Sequence, residues 1–399
     1  MITLTDVIDA YYDCRHNKRN THNALKFERN WESECYKLYK EIISGTYTIG
    51  RSIAFIVTRP KKREVFAADF RDRVVHHLVM SRLEPLFEKE FIKDNYNCRV
   101  NKGTLYGINR LHEQVKECSE NYTQPCYIAK FDIQGFFMSI HKPTLLNNLT
   151  EFIKNNYRED DIDLILDLVT KVINNHPQHN CLLKSPKNMW KDLPANKSLF
   201  TVGDDFGLPI GNLTSQMFAN FYMNTFDKIM VEKFQYYGRY VDDFFVVGKD
   251  KKELLNSVPW IRDYLKDTLK ITLHPKKLYI QYYKKRCKFI GAVVKGKLKY
   301  SANRTVSYLH KTVTRFNTLA ERYPNYTKQN TEHFVSVMNS YFGFLGKYES
   351  YNIRKKYANM ISKRWYEVVD IAPDYSKFIC KEEYTTKHRL LNKIIQNNY

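Results

Sequence analysis

The chain has 399 residues, 43% apolar and 15% aromatic, enough to bury a sizeable core and too much for wholesale disorder. With only 14 Gly and 12 Pro it is neither collagen-like nor dominated by linkers, and the length suggests two or three domains. The net charge of +21 points to a polyanionic partner, nucleic acid ahead of an anionic membrane, through counterion release at phosphates.

Residues 1–45 carry helical spacing that ends at Gly45, and 46–66 alternate as strands around the turn Arg59-Pro60-Lys61-Lys62-Arg63. A helical period returns from Asp69 to Phe91. Cys126 to Ile133 reads as a strand, and 144–173 as a helix. Residues 174–206 form a loop-rich segment. Thr214–Val231 looks helical, and Tyr236–Val247 reads as two strands joined at Asp242-Asp243. A helix over 258–270 and short strands over 271–300 lead to a final hundred residues that are helical and basic.

The eight Cys contain no C-x2-C or C-x4-C pair, so neither a zinc ribbon nor a dense disulfide framework is suggested. No run approaches the roughly 18 uninterrupted apolar residues of a membrane span. The N-terminal stretch has acids and no apolar h-region. A cytoplasmic protein with reduced cysteines and no membrane partner is expected.

Two adjacent acids, Asp242 and Asp243, sit between apolar runs in Tyr240-Val241-Asp242-Asp243-Phe244-Phe245. By itself the pair reads equally as an Asp-rich turn. Asp132 breaks a second apolar strand, Ile128-Ala129-Lys130-Phe131-Asp132-Ile133, where a lone charge is costly to bury unless paired or metal-bound. If the two strands are neighbours, the three acids converge as hard oxygen ligands suited to Mg²⁺. Two such ions about 4 Å apart suit an in-line displacement at phosphorus.

These two stretches resemble the catalytic motifs of reverse transcriptases. Arg71-Asp72-Arg73-Val74-Val75-His76-His77 resembles the fingers motif of the bacterial enzymes, and Leu208-Pro209-Ile210-Gly211-Asn212-Leu213-Thr214-Ser215-Gln216 the motif between the catalytic strands. His274-Pro275-Lys276-Lys277 and Lys288-Phe289-Ile290-Gly291 resemble the two that follow. Most reverse transcriptases have Gln-Gly and Ser-Pro in the middle motif. Ile210-Gly211 and Ser215-Gln216 are similar instead to the enzymes of diversity-generating retroelements, which copy a template RNA with frequent errors at adenines. Stand-alone bacterial reverse transcriptases, antiphage defence enzymes among them, carry similar variants. A non-catalytic RNA-binding scaffold is the reading from another class, and the intact acids speak against it.

The resemblance implies an α+β right-hand polymerase. Residues 1–125 would be N-terminal helices and fingers, 126–300 a palm with an antiparallel sheet and a fingers insertion around 145–205, and 301–399 a helical basic thumb. Asp132, Asp242 and Asp243, with Ile133 beside them, would hold two Mg²⁺ ions, or Mn²⁺ in their place. Lys61 and Arg63 would lie over the incoming dNTP, where Arg clamps phosphate oxygens. Phe137 would be the steric gate against a ribose 2′-OH, while Phe136, on the other face of a strand, would belong to the core. Ile210, Gly211 and Gln216 would line the nascent pair.

Tyr240 and Val241 would flank the primer end, and Arg71 and Arg73 would contact template phosphates unless Arg71 or Arg73 forms a surface pair with Asp72. Lys276 or Lys277, of which Lys277 is the choice, would protonate the leaving pyrophosphate. Across 276–299 there are nine Lys/Arg and no acid. Lys276, Lys284, Lys285 and Arg286, interleaved with Tyr279, Tyr282 and Tyr283, would form a nucleic-acid groove. His176, His179 and Cys181 have loosely metal-like spacing but read as an ordinary polar loop. Template RNA, cDNA and a small basic, oligomeric accessory protein complete the implied partners.

Overall fold

The computed structural model describes residues 1–16, 21–59, 61–322 and 326–384. Pro60, in the basic turn, lies outside the described residues. The chain divides into two compact units, one of residues 1–107 and 126–280, the other of 108–125 and 281–399.

The first unit opens with α1 (Leu4–Arg15), α2 (His22–Glu28) and α3 (Trp31–Ile43). Thr3 and Asp6 form a reciprocal capping box on α1, and Gly45 closes α3 at φ +71°, where a side chain would be strained. The strands β1 (Ser52–Val57) and β2 (Arg63–Ala67) pair antiparallel. Asp69 then caps α4 (Phe70–Glu90) by accepting from the Arg71 amide.

The central sheet has the order β5-β6-β3-β7, from β3 (Tyr127–Asp132), β5 (Tyr236–Tyr240), β6 (Asp243–Gly248) and β7 (Tyr279–Tyr282). Phe131 and Phe244 stack at 4.7 Å on the face turned to the core. The expected helix over 144–173 is two, α7 (Lys142–Asn156) and α8 (Ile162–Asn174), and the bend between them is held by Tyr157 donating to Asp161 at 2.6 Å. Likewise 214–231 divides into α9 (Leu213–Tyr222) and α10 (Asn224–Lys233) at Met223. α11 (Lys251–Asp267) begins before the expected helix because Asp250 caps it. α5 (Thr104–Cys118) and the single-turn α6 (Phe136–Ser139) complete the helices up to this point.

The loop-rich segment contains β4 (Cys181–Leu183), parallel to β1, and three short 3₁₀ turns. Its anchor is Glu64, 1% exposed, which accepts from Trp190 Nε1, Ser198 Oγ and the Leu199 amide, each at 2.6 Å. Glu64→Ala leaves three donors without their acceptor, and we expect a loss of about 2–4 kcal/mol in urea unfolding, with earlier proteolysis at 187–201. A loss below about 0.5 kcal/mol, the range of ordinary surface substitutions, would show the anchor to be unimportant.

The second unit holds the antiparallel sheet β8 (Cys287–Phe289), β9 (Ala292–Lys295) and β10 (Leu298–Ser301), then α12 (Asn303–Arg322), α13 (Lys328–Leu345) and α14 (Tyr351–Met360). Trp365 stacks on Phe334 at 4.1 Å and donates to the Phe316 carbonyl at 3.0 Å. The last hundred residues are not wholly helical: β11 (Val369–Ile371) and β12 (Phe378–Cys380) form a hairpin whose Phe378 enters this core. Of the divisions expected at 125 and 300, the first falls on a boundary between the compact units and the second does not, the units dividing also at 107 and 280. Lys299 donates to Asn109 and Tyr283 to the Tyr122 carbonyl, so 108–125 and the strands after 281 pack with the C-terminal helices. Among the described residues no helix is long and apolar enough to cross a membrane.

Candidate active site

The alternation of β3 puts Lys130 and Asp132 on one face and Phe131 on the other. β6 pairs with β3 so that Asp132 stands opposite Asp243, and β5 pairs with β6 so that Tyr240 stands opposite Asp243. The turn between β5 and β6 is Val241-Asp242, with Val241 at φ +58°. Backbone bonds bind the acidic edge together: the Ile133 amide donates to the Asp242 carbonyl at 3.1 Å, and the His274 amide to the Asp132 carbonyl at 2.8 Å. The three acids, expected from two separate strands, are gathered at one edge.

Burial, then Asp243 and Asp132, push the Asp242 carboxyl up to about 6, and Asp243 is raised by burial against the opposing pull of Lys130. Two ammonium groups offset this crowded charge. Lys130 Nζ donates to Asp243 at 2.9 Å and Lys277 Nζ to Asp132 at 2.6 Å. An edge of hard carboxylate oxygens that draws in two cations of the chain itself fits divalent-ion binding. Lys277 thus reaches the acids, whereas the Lys276 amide donates to His274 Nδ1 at 3.1 Å.

Phe136 and Phe137 lie in α6, not in a strand as expected. Gly135, at φ +60°, starts this turn, and the Asn196 carbonyl stands 2.5 Å from where a Cβ would be, so only glycine fits. Phe136 is nonetheless buried and Phe137 half-buried, the rings meeting edge to face at 5.7 Å. A cleft of about 390 Å³ opens beside them, lined by Gln134, Gly135, Ser139, Asn196 and Thr272 among others.

Ile210 packs against the small core of Ala54, Phe66, Met138 and Leu199, and its carbonyl accepts from the Phe66 amide at 3.0 Å. Gly211 is exposed at φ +121°, where a Cβ would stand 2.8 Å from Val65. The Gln216 carbonyl oxygen accepts from Cys98 Sγ at 2.5 Å. Lys61 and Arg63 are exposed, and the charge of Arg63 is felt by the Tyr240 hydroxyl, whose pKa burial raises.

Several expectations need correction. The Arg71–Asp72 surface pair does not form: Arg71 pairs with Glu41, and Asp72 is buried, accepting from Tyr47 at 2.8 Å and the Gly50 amide at 3.0 Å. Arg73 Nε donates to the Ala68 carbonyl at 2.9 Å. Tyr283 is 1% exposed, so packing takes the ring that was expected to stack on bases. Lys284, Lys285 and Arg286 are exposed on the second unit.

His176 and His179 do meet a third candidate ligand, Asp204, while Cys181 goes to β4. Among the described residues His176, His179 and Asp204 are placed so that they could hold an ion, and the Lys142 side chain lies 3.2 Å from His176 Nδ1.

Sequence reasoning passed over Lys130 and Arg239, each a charged residue inside an apolar strand. That mismatch was the available signal for both.

The family described as reverse transcriptase (RNA-dependent DNA polymerase) matches residues 59–294. Protein YkfC of Escherichia coli (strain K12) is 20% identical over 325 residues, covering 71% of this chain and 77% of YkfC. Among solved structures, apo telomerase from Candida tropicalis truncated from its C-terminal domain superposes with TM-score 0.46 at 12% identity, covering 68% of this chain and 60% of that one. Telomerase from Candida albicans in complex with a TWJ fragment of telomeric RNA gives 0.40 at 12%, covering 83% and 64%. This chain spans less than two thirds of either telomerase chain. The family match takes in more than half of the chain, from the basic turn past both acidic strands, and the chain belongs to the reverse transcriptase family.

Proposed function

We propose that Asp132, Asp242 and Asp243 hold two Mg²⁺ ions, with Mn²⁺ as a substitute, and that the chain copies a template RNA into cDNA for a diversity-generating retroelement. The reading of the acids rests on the pairing of Asp132 opposite Asp243 and on the two lysines drawn to them. When bound, such ions stabilise the charge developing at the attacking 3′-oxygen and the leaving pyrophosphate. The chain's own groups do the rest. Arg63 and Lys61 hold the triphosphate, Phe137 excludes the ribose 2′-OH, and Tyr240 and Val241 support the primer end. Lys277 gives a proton to the pyrophosphate. Arg71, Arg73, Lys276, Lys284, Lys285 and Arg286 bind phosphates of template and product. In this reading the first unit supplies fingers and palm and the second the thumb.

The retroelement assignment is carried by Ile210-Gly211 and Gln216. An apolar Ile against an apolar cluster offers the nascent pair no amide, and Gln216 has its carbonyl oxygen engaged by Cys98. Loss of that hydrogen-bonding group loosens the geometric check at template adenines. Primer extension on RNA with dNTPs, followed by sequencing of the cDNA, tests this. Adenine-focused errors support the retroelement polymerase and its small basic accessory protein, and evenly spread errors favour a stand-alone enzyme such as one of antiphage defence. Ile210→Gln is expected to lower misincorporation opposite adenine by about 3–10-fold, the worth of roughly one hydrogen bond. An unchanged rate would remove Ile210 from the account.

A further inference from the structure

We infer that Arg239 is a positioning residue, whose guanidinium holds the Val241-Asp242 turn from the core side of the sheet. Strand alternation dictates its place. Tyr240 is opposite Asp243 on the acidic face, so Arg239, opposite Phe244, points the other way, and its side chain is 0% exposed. There it meets Asp227 of α10, also 0% exposed, in a two-pronged pair: Nε donates to Oδ1 at 2.7 Å and Nη2 to Oδ2 at 2.6 Å. Tyr237, two residues earlier on the same face, donates its hydroxyl to Asp227 at 2.6 Å.

Asp227 takes two prongs of the guanidinium and leaves Nη1, which donates to the Val241 carbonyl at 2.9 Å. Asn220 supplies weaker acceptors at 3.3 and 3.4 Å. The bonded carbonyl belongs to the residue that most needs holding. Val241 is β-branched and sits at φ +58°, a strained conformation for such a residue that persists only where its surroundings impose it. On the other side, the Asp242 carbonyl accepts from the Ile133 amide at 3.1 Å. The peptide between Val241 and Asp242 is thus pinned from the core by Arg239, and the next carbonyl by the neighbouring acidic strand. A buried ion pair is weak evidence of stabilisation, because apolar replacements of like volume are often neutral. The third prong gives this one a different use: it sets where Asp242 stands.

The inference rests on Asp242 acting at the reaction centre, and two variants test it separately from that premise. Arg239→Lys keeps the charge but offers one short prong. The triple variant Arg239→Met/Asp227→Leu/Tyr237→Phe replaces the buried polar group with apolar side chains, so that packing is retained while the bond to Val241 is lost. Single-turnover incorporation at saturating dNTP, normalised to sites that bind primer–template, is expected to fall at least about tenfold in both, since displacement of a reacting group by even 1 Å costs up to about 100-fold. Half-saturation by dNTP and by primer–template should stay within about threefold, the pattern of an interaction needed only in the transition state. A folded variant of either kind turning over within about twofold of the native chain would make Arg239 merely structural. Asp242→Asn at full activity would instead overturn the premise, an outcome the Arg239 variants cannot produce.

Discussion

Asp242→Asn is expected to slow nucleotide incorporation by about 10³-fold or more, the worth of several kcal/mol of charge stabilisation at the reacting phosphate. The same substitution should make the metal-free chain more stable. Asp242 has its pKa raised from the ordinary 3.8 to about 6 by burial and by Asp243 and Asp132. The folded chain therefore holds this proton more tightly than the unfolded chain, so stability falls as pH rises from about 4 to 6 and the penalty is complete at neutral pH. Allowing for partial exposure, we expect Asp242→Asn to recover about 1–2 kcal/mol at pH 7 and little at pH 4, read as the difference in urea midpoint between the two chains. Millimolar Mg²⁺ or Mn²⁺ should stabilise the native chain and leave the variant nearly unchanged. A variant that polymerises at the native rate would remove Asp242 from the chemistry. One no more stable than the native chain at pH 7 would mean that the acids do not crowd each other.

Phe137→Ala is expected to admit ribonucleotides. The ring is half-buried, braced edge to face by Phe136 at 5.7 Å, and its backbone carbonyl accepts from the Leu208 amide at 2.8 Å. Both contacts hold it rigid, as a steric filter requires. Truncation should raise the kcat/KM ratio of rNTP over dNTP by about 100-fold, the usual worth of a pocket wall that meets a hydroxyl, with dNTP incorporation changed by only a few-fold. An unmoved ratio would leave Phe137 a packing residue and place the gate elsewhere.

The sheet that carries the site was legible because its signals are local. Alternation over 236–247, the paired acids within it and the acid near the end of 126–133 each depend on neighbours within a few residues, and the observed strands fall there, with the turn one residue earlier than expected, at Val241-Asp242. Other local readings failed where a tertiary contact outweighed the pattern. The helical period over 144–173 runs through a bend that Tyr157 and Asp161 hold, and Phe136-Phe137 follow a left-handed glycine that the nearby Asn196 carbonyl leaves no room to replace. Tyr283 had the composition of a stacking platform, yet its hydroxyl reaches the Tyr122 carbonyl across 161 positions.

Read alone, the sequence determined the acid-bearing strands, the basic character and the order of motifs, because periodicity, charge and spacing are properties of the chain itself. Only the tertiary structure decided which charges meet. Lys130 reaches Asp243 across 113 positions, Lys277 reaches Asp132 across 145, and Arg239 turns inward to Asp227 and the Val241 carbonyl. The physical reason is that a buried charge takes whichever partner the folded chain brings within hydrogen-bond range, and strand register, not sequence distance, sets that choice.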